Sequence, residues 1–115
     1  MTAYALAHLH PPATLHEEVF TYMERIQATL DPFGGRFLVH GSVPEVMEGP
    51  LDGAYVLIEF PDMDNAKRWY ESDGYQAILP MRTDHMKGTA VLLPGVPEGY
   101  DPAATAAAFR TAQTP

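Results

Sequence analysis

A chain of 115 residues with seven basic and fifteen acidic side chains, a formal net charge of −8 and no cysteine reads as one domain around a single modest hydrophobic core. The negative charge repels phosphate backbones and anionic lipid, which argues against nucleic acid or a membrane surface as a partner. The lack of cysteine excludes disulfides, thiolate metal sites and thiol nucleophiles.

The opening MTAYALAHLHPP has no basic n-region and only a short apolar run. Neither a signal peptide nor a membrane span is expected from it, and cytoplasmic residence is the default expectation. Within it, AYALAHLH (residues 3–10) alternates Tyr4, Leu6, His8 and His10 against smaller or apolar residues and stops at Pro11-Pro12, the pattern of a strand. Thr14 and Glu17 have capping-box spacing, and Leu15, Val19, Tyr22, Met23, Ile26 and Leu30 recur at helical intervals until Pro32 and Gly34-Gly35, predicting a first amphipathic helix with a left-handed end. A second strand is predicted over 36–41, with a short continuation at 45–48 before the turn at Asp52-Gly53.

AYVLIEF (54–60), β-branched and aromatic, is the strongest strand signal in the chain. Asp62 is a good N-cap for a second helix carrying Ala66, Trp69 and Tyr70, and Ser72 or Asp73 restarts it before Tyr75, Ile78 and Leu79, with Pro80 kinking or ending it. GTAVLL (88–93) makes the last strand. Beyond it, Asp101-Pro102 caps an alanine-rich terminal helix with one large apolar anchor, Phe109. The chain is thus expected to divide into a compact domain over 1–96 and an extension over 97–115, whose helix is suited to dock on a neighbour.

The order βαββαβ is the split βαβ arrangement: four antiparallel strands with two helices on one face. The second sheet face then stays uncovered although Tyr55 and Leu57 lie on it, and packing two sheets together removes that apolar area from water at about 25 cal/mol per Å². A homodimer is therefore expected.

These residues resemble a bacterial family of small proteins of unknown function within the dimeric α+β barrel (ferredoxin-like) superfamily. The resemblance rests on Tyr22, GGRFLVHG (34–41), VLIEFPDMDNAKRWYESDGYQ (56–76), Arg82 and the closing strand that runs into Gly95, and spans most of residues 3–96. The family usually has arginine where this chain has His40, and the tail after Val96 is an addition to its pattern. The resemblance implies an α+β fold in a superfamily that includes cofactor-independent quinone-forming monooxygenases, muconolactone isomerase-like enzymes and haem-handling proteins, a breadth that selects no reaction.

Strict alternation places His8, His10, Arg36, His40, Tyr55 and Glu59 on the sheet face turned from the helices, where they would line one cavity. Arg36 and Glu59 fall on neighbouring strands and are expected to pair. On one reading the pair is structural. On the other, Arg36 holds a carboxylate, phenolate or enolate while His40 or His8 moves a proton, Tyr55 and Glu59 position them, and Trp69 walls the site with His10 nearby. The His8-x-His10 spacing can put two imidazoles on one metal, with His40 or Glu59 as further ligands, yet no strict ligand motif accompanies it, and no metal or cofactor is assigned.

His16 and His85 are expected to face solvent. Trp69 is expected to pack on the sheet, and Tyr70 or Tyr75 to cover the barrel rim with its hydroxyl reaching water or a neighbouring subunit. No P-loop, dinucleotide fingerprint or Ser-His-Asp order is present, and Gly34-Gly35 leads into a strand rather than opening a helix. The functional expectation is a small-molecule-binding homodimer whose enzymatic form would be cofactor-free proton transfer, isomerisation or oxygenation of a small phenolic or anionic substrate. The alternative is a non-catalytic ligand-binding or dimeric interaction module.

Overall fold

The computed structural model describes residues 1–113. Thr114 and Pro115, the end of the expected 97–115 extension, lie outside the described residues. The elements run β1 (Ala3–His10), α1 (Glu17–Leu30), β2 (Arg36–Ser42), β3 (Ala54–Phe60), α2 (Met63–Glu71), α3 (Asp73–Ile78), α4 (Pro80–Thr83), β4 (Lys87–Pro94) and α5 (Pro102–Gln113). The strands form one sheet of order β2-β3-β1-β4, with every neighbouring pair antiparallel. This is the expected ferredoxin-like βαββαβ topology with an additional C-terminal helix.

Local chemistry sets the boundaries. Asp62 caps α2 by accepting from the Asn65 amide at 2.8 Å, and Ser72 caps α3 by accepting from the Tyr75 amide at 3.3 Å, so the expected restart occurs where the serine can serve it. Leu79, between α3 and α4, keeps helical dihedrals (φ −54°, ψ −44°), and the Thr83 amide donates to its carbonyl at 3.1 Å, so helical bonding continues past Pro80. Gly34 adopts φ +71° at the end of the turn after α1, the left-handed stop expected of it.

Two boundaries differ from expectation. The Thr14–Glu17 capping box does not form: α1 begins at Glu17 and His16 is its N-cap, with Nδ1 accepting from the Glu18 amide at 3.0 Å. An unprotonated imidazole nitrogen does here what a serine oxygen usually does. Residues 45–48 are not a strand: β2 ends at Ser42, the last residue paired with β3, and the segment from there to Ala54 lies outside the sheet.

The core lies between the sheet and α1–α4. Phe60, Leu30 and Val19 are fully buried, and Trp69 packs on Phe60 with ring centroids 5.3 Å apart while its indole N–H donates to Thr29 Oγ1 at 3.0 Å. The expectation that Trp69 packs on the sheet is met. The opposite face carries Leu6, Leu57 and Val39 in one cross-strand row, continued by Val91 on β4, and Val91 and Leu93 remain 42 % and 44 % exposed. Helix α5 buries none of its side chains, Phe109 included. Among the described residues no helix is long and apolar enough to cross a membrane.

Candidate functional site

The strand that was expected to aim Arg36 and His40 at one face aims them at opposite faces. Along β2, Arg36 pairs with Glu59 and Phe37 with Ile58, but then Val39 pairs with Leu57 and His40 with Val56. One extra residue, Leu38, is accommodated as a β-bulge, and a second irregularity follows at Gly41. A single inserted residue reverses parity, here for Val39 and His40, until the second shift restores it at Ser42, which pairs with Tyr55. His40 consequently turns toward the helices, its ring 4.6 Å from that of Phe37, while Arg36 stays on the outer face.

The predicted site residues therefore divide. On the outer face, Arg36 Nε donates to Glu59 Oε1 at 2.9 Å, forming the expected pair, with the arginine side chain 68 % exposed. His8 stacks on Tyr55 at 4.6 Å and 7°, its Nε2–H donates to the Asp52 carbonyl at 2.7 Å, and His10 lies with its ring 4.6 Å from that of His8. On the inner face, His40 and Trp69 line a cavity of about 280 Å³ between the sheet and the helices. His8, His10, Arg36, Tyr55 and Glu59 do not line it. The two imidazoles find Asp52 beside them rather than His40 or Glu59.

The cavity has mostly apolar walls, among them Ala5, Ile26, Val56 and Leu92, with Trp69 and Tyr70 on the helix side and the exposed His40 at its edge. Its polar lining includes Tyr22, Tyr75 and Arg82, three residues the sequence reading gave no site role. Tyr22 and Tyr75 are 8 % and 2 % exposed and share a hydrogen bond of 2.8 Å between their hydroxyls. The Tyr75 hydroxyl thus points inward, not to water at the rim, because its place in α3 directs it at α1 across the core. Arg82, 9 % exposed, holds its guanidinium carbon 5.6 Å from the centroid of the Tyr22 ring.

The electrostatics of this trio are unusual for a core. Burial pushes the Tyr75 phenol well above the ordinary tyrosine range, and the neighbouring Tyr22 pushes it further. Burial works against the Arg82 charge, but Tyr22 and Tyr75 together outweigh it and hold the guanidinium above its usual value. Arg82 is a buried cation, and among the described residues no carboxylate forms an ion pair with it. Its helical spacing was the available signal: Tyr75, Ile78 and Arg82 recur at three and four residues, so an arginine occupies an otherwise apolar helix face.

Elsewhere, His85 does not face solvent alone. Its Nε2–H donates to Glu18 Oε1 at 2.6 Å, and its ring stacks on that of His16 at 3.7 Å and 6°. These contacts tie the start of α1 to the loop before β4.

Fold and cavity together define a ferredoxin-like α+β protein with an arginine-bearing pocket between its sheet and helices. The chain belongs to the family described as domain of unknown function DUF1330, which it matches over residues 2–96. Among solved structures it is similar to a Rhodopseudomonas palustris protein of unknown function (15 % identity, TM-score 0.63, covering 84 % of this chain and 83 % of that one). It is also similar to a dimeric ferredoxin-like protein of unknown function from Thermobifida fusca (12 %, TM-score 0.55, 83 % and 92 %). A third similar structure is a mutant of SnoaB, a cofactor-independent oxygenase from Streptomyces nogalater (16 %, TM-score 0.56, 87 % and 98 %). No curated protein matches the sequence.

Proposed function

We propose that each subunit binds a small, largely apolar molecule carrying one anionic oxygen, as a carboxylate, phenolate or enolate, inside the cavity behind the sheet. The observation that carries this reading is Arg82: a buried guanidinium on the cavity wall whose nearby partners are two neutral phenols rather than a carboxylate. A charge taken out of water is costly unless it is paired, and an anionic ligand supplies the missing pair. The guanidinium presents several N–H donors to such an oxygen, and the apolar walls take the body of the molecule.

The same arrangement supports cofactor-free acid–base chemistry. A ligand with a carbonyl oxygen on Arg82 and an acidic C–H toward the cavity edge would lose that proton to neutral His40. The C–H electron pair would move into the enolate, whose negative oxygen the guanidinium holds. SnoaB, on a similar fold, is a cofactor-independent oxygenase, which is consistent with this reading without selecting it. Arg36 and Glu59 then serve the scaffold, satisfying each other on the outer face.

The row Leu6, Leu57, Val39 and Val91 supports face-to-face packing of two copies, and the similar Thermobifida fusca protein is described as dimeric. Residues 1–96 form the ligand-binding, dimerising unit, and 97–115 is an accessory segment.

A thermal-shift panel of aromatic and alicyclic carboxylates, phenols and 1,3-dicarbonyls, each beside a neutral isostere, tests the assignment. Anionic members should raise the melting temperature of the wild-type protein and not that of R82M. Equal shifts by the neutral isosteres, or undiminished shifts in R82M, would remove the basis for an anion site.

A further inference from the structure

We propose that His8, His10 and Asp52 form a site for a divalent transition-metal ion of the zinc class, on the sheet face opposite the cavity. Two positions apart on β1, His8 and His10 share a face, and their donor atoms and a carboxylate oxygen of Asp52 all lie within 4.8 Å of one another. Asp52 Oδ1 is 3.8 Å from His8 Nε2 and 4.0 Å from His10 Nδ1. Metal–ligand bonds of about 2.0–2.1 Å in a tetrahedron separate ligand atoms by roughly 3.4 Å. The Asp52 oxygen therefore needs to close by about half an ångström on each imidazole around such an ion, and its side chain, 85 % exposed, has the freedom to do it.

The backbone brings this carboxylate to the imidazoles. Gly53 has φ +85°, and a Cβ there would stand 2.5 Å from the Leu9 carbonyl oxygen and 2.8 Å from His8 Nε2. Only glycine lets the turn lie so close against β1. Stacking on Tyr55 fixes the His8 ring, and the bond from Nε2–H to the Asp52 carbonyl directs that nitrogen into the turn. On metal binding the ring changes tautomer, its proton passing through water from Nε2 to Nδ1, and the Asp52 carbonyl, 2.7 Å away along the same axis, swings aside so that the Nε2 lone pair goes to the ion. Lys87, the cross-strand partner of His10, is exposed and long enough to keep its ammonium in water.

Ring orientation separates this set from the other histidine-carboxylate group, His16, Glu18 and His85. There the imidazoles are parallel within 6° at 3.7 Å, so their in-plane lone pairs cannot meet, and His16 Nδ1 already accepts the Glu18 amide. The His8 and His10 rings are inclined at 52°, which allows their lone pairs to converge. Two neutral imidazoles and one carboxylate suit zinc, nickel or copper over magnesium or calcium, and three protein ligands leave a coordination position for water.

The test uses the full-length chain without a histidine tag, titrated with Zn²⁺ against a chromophoric chelator, with the visible absorption of the Co²⁺ complex as a second readout. One ion per chain is expected. H10A and D52N should each weaken Zn²⁺ by more than the roughly 10–100-fold lost with an outer-shell partner and abolish the Co²⁺ bands, while their metal-free melting temperatures match wild type. The H16A/H85A double variant should bind as wild type does. Absence of binding, undiminished affinity in H10A or D52N, loss confined to H16A/H85A, or one ion per two chains would each overturn the proposal.

Discussion

Phe37 and His40, three positions apart on β2, lie on the same side of the sheet with ring centroids 4.6 Å apart. An unbroken strand would put them on opposite sides. The bulge at Leu38 thus carries an imidazole to the edge of the cavity, and a second one-residue shift at Gly41 returns Ser42 to the outer face opposite Tyr55.

Gly41 should accordingly resist substitution. At φ +71°, with no atom within 4 Å of where a Cβ would stand, its requirement is conformational and not steric. G41A should lose about 1–2 kcal/mol in urea denaturation, the cost of a left-handed backbone for a residue with a Cβ. It should also weaken the nuclear Overhauser contacts between the Phe37 and His40 rings. Unchanged stability and contacts would show that the bulge does not depend on this glycine.

Tyr75 sets the alkaline behaviour. Its phenol is raised above the ordinary tyrosine value of 10.0, first by burial and then by Tyr22. Because the folded value lies above the unfolded one, the folded state holds the proton more tightly. The associated stability is complete below pH 10 or so and is lost as pH rises beyond it. Y75F should flatten this alkaline decline in thermal denaturation and cost about 1 kcal/mol at neutral pH, the net worth of a hydrogen bond. A tyrosine absorbance titration should show one fewer group delayed into strong alkali.

Glu18 governs the acid side of the α1 terminus. The hydrogen bond from His85 lowers its carboxyl below 4.5, desolvation opposes this, and smaller contributions from the charges of His85 and His16 add to the lowering. A depressed folded value gives stability that is present above the ordinary carboxylate range and lost as pH falls through the folded value. E18Q should reduce the slope of melting temperature against pH below about 4.5. An unaltered slope would mean that the contact is not maintained in solution.

The order and type of elements were legible because proline, glycine and capping residues punctuate the chain where periodicity changes. Asp62, Ser72 and Gly34 each act as their chemistry suggested. Parity on β1 and β3 was legible too, since both are regular central strands. It failed on β2 after Phe37, because nothing in the residue type of Leu38 announces a bulge. The His16 cap was hidden by Thr14 and Glu17, which have the more familiar spacing. Arg82 was visible only as a cation on an apolar helix face, a pattern that becomes chemical once Tyr22, from a distant helix, is set beside it.

The outer face makes its own prediction. Val91 is 42 % exposed in the single chain, so lysine there should leave the subunit folded while placing charge in the sheet interface. Light scattering should report two chains for wild type and one for V91K, with unchanged circular dichroism. A wild-type monomer at micromolar concentration would contradict the paired-sheet assembly.

The pocket's buried cation is tested most directly by calorimetric titration of the strongest carboxylate from the thermal-shift panel and its carboxamide, into wild type and R82M. Methionine keeps the apolar stem while removing the charge and its contact with Tyr22, so the variant should remain folded, with unchanged circular dichroism. The carboxylate should bind wild type at least about 30-fold more tightly than R82M, the lower end of the 2–5 kcal/mol lost on truncating a buried charge partner. The carboxamide should bind the two alike. Equal carboxylate affinities in the two proteins would show that Arg82 does not hold the ligand.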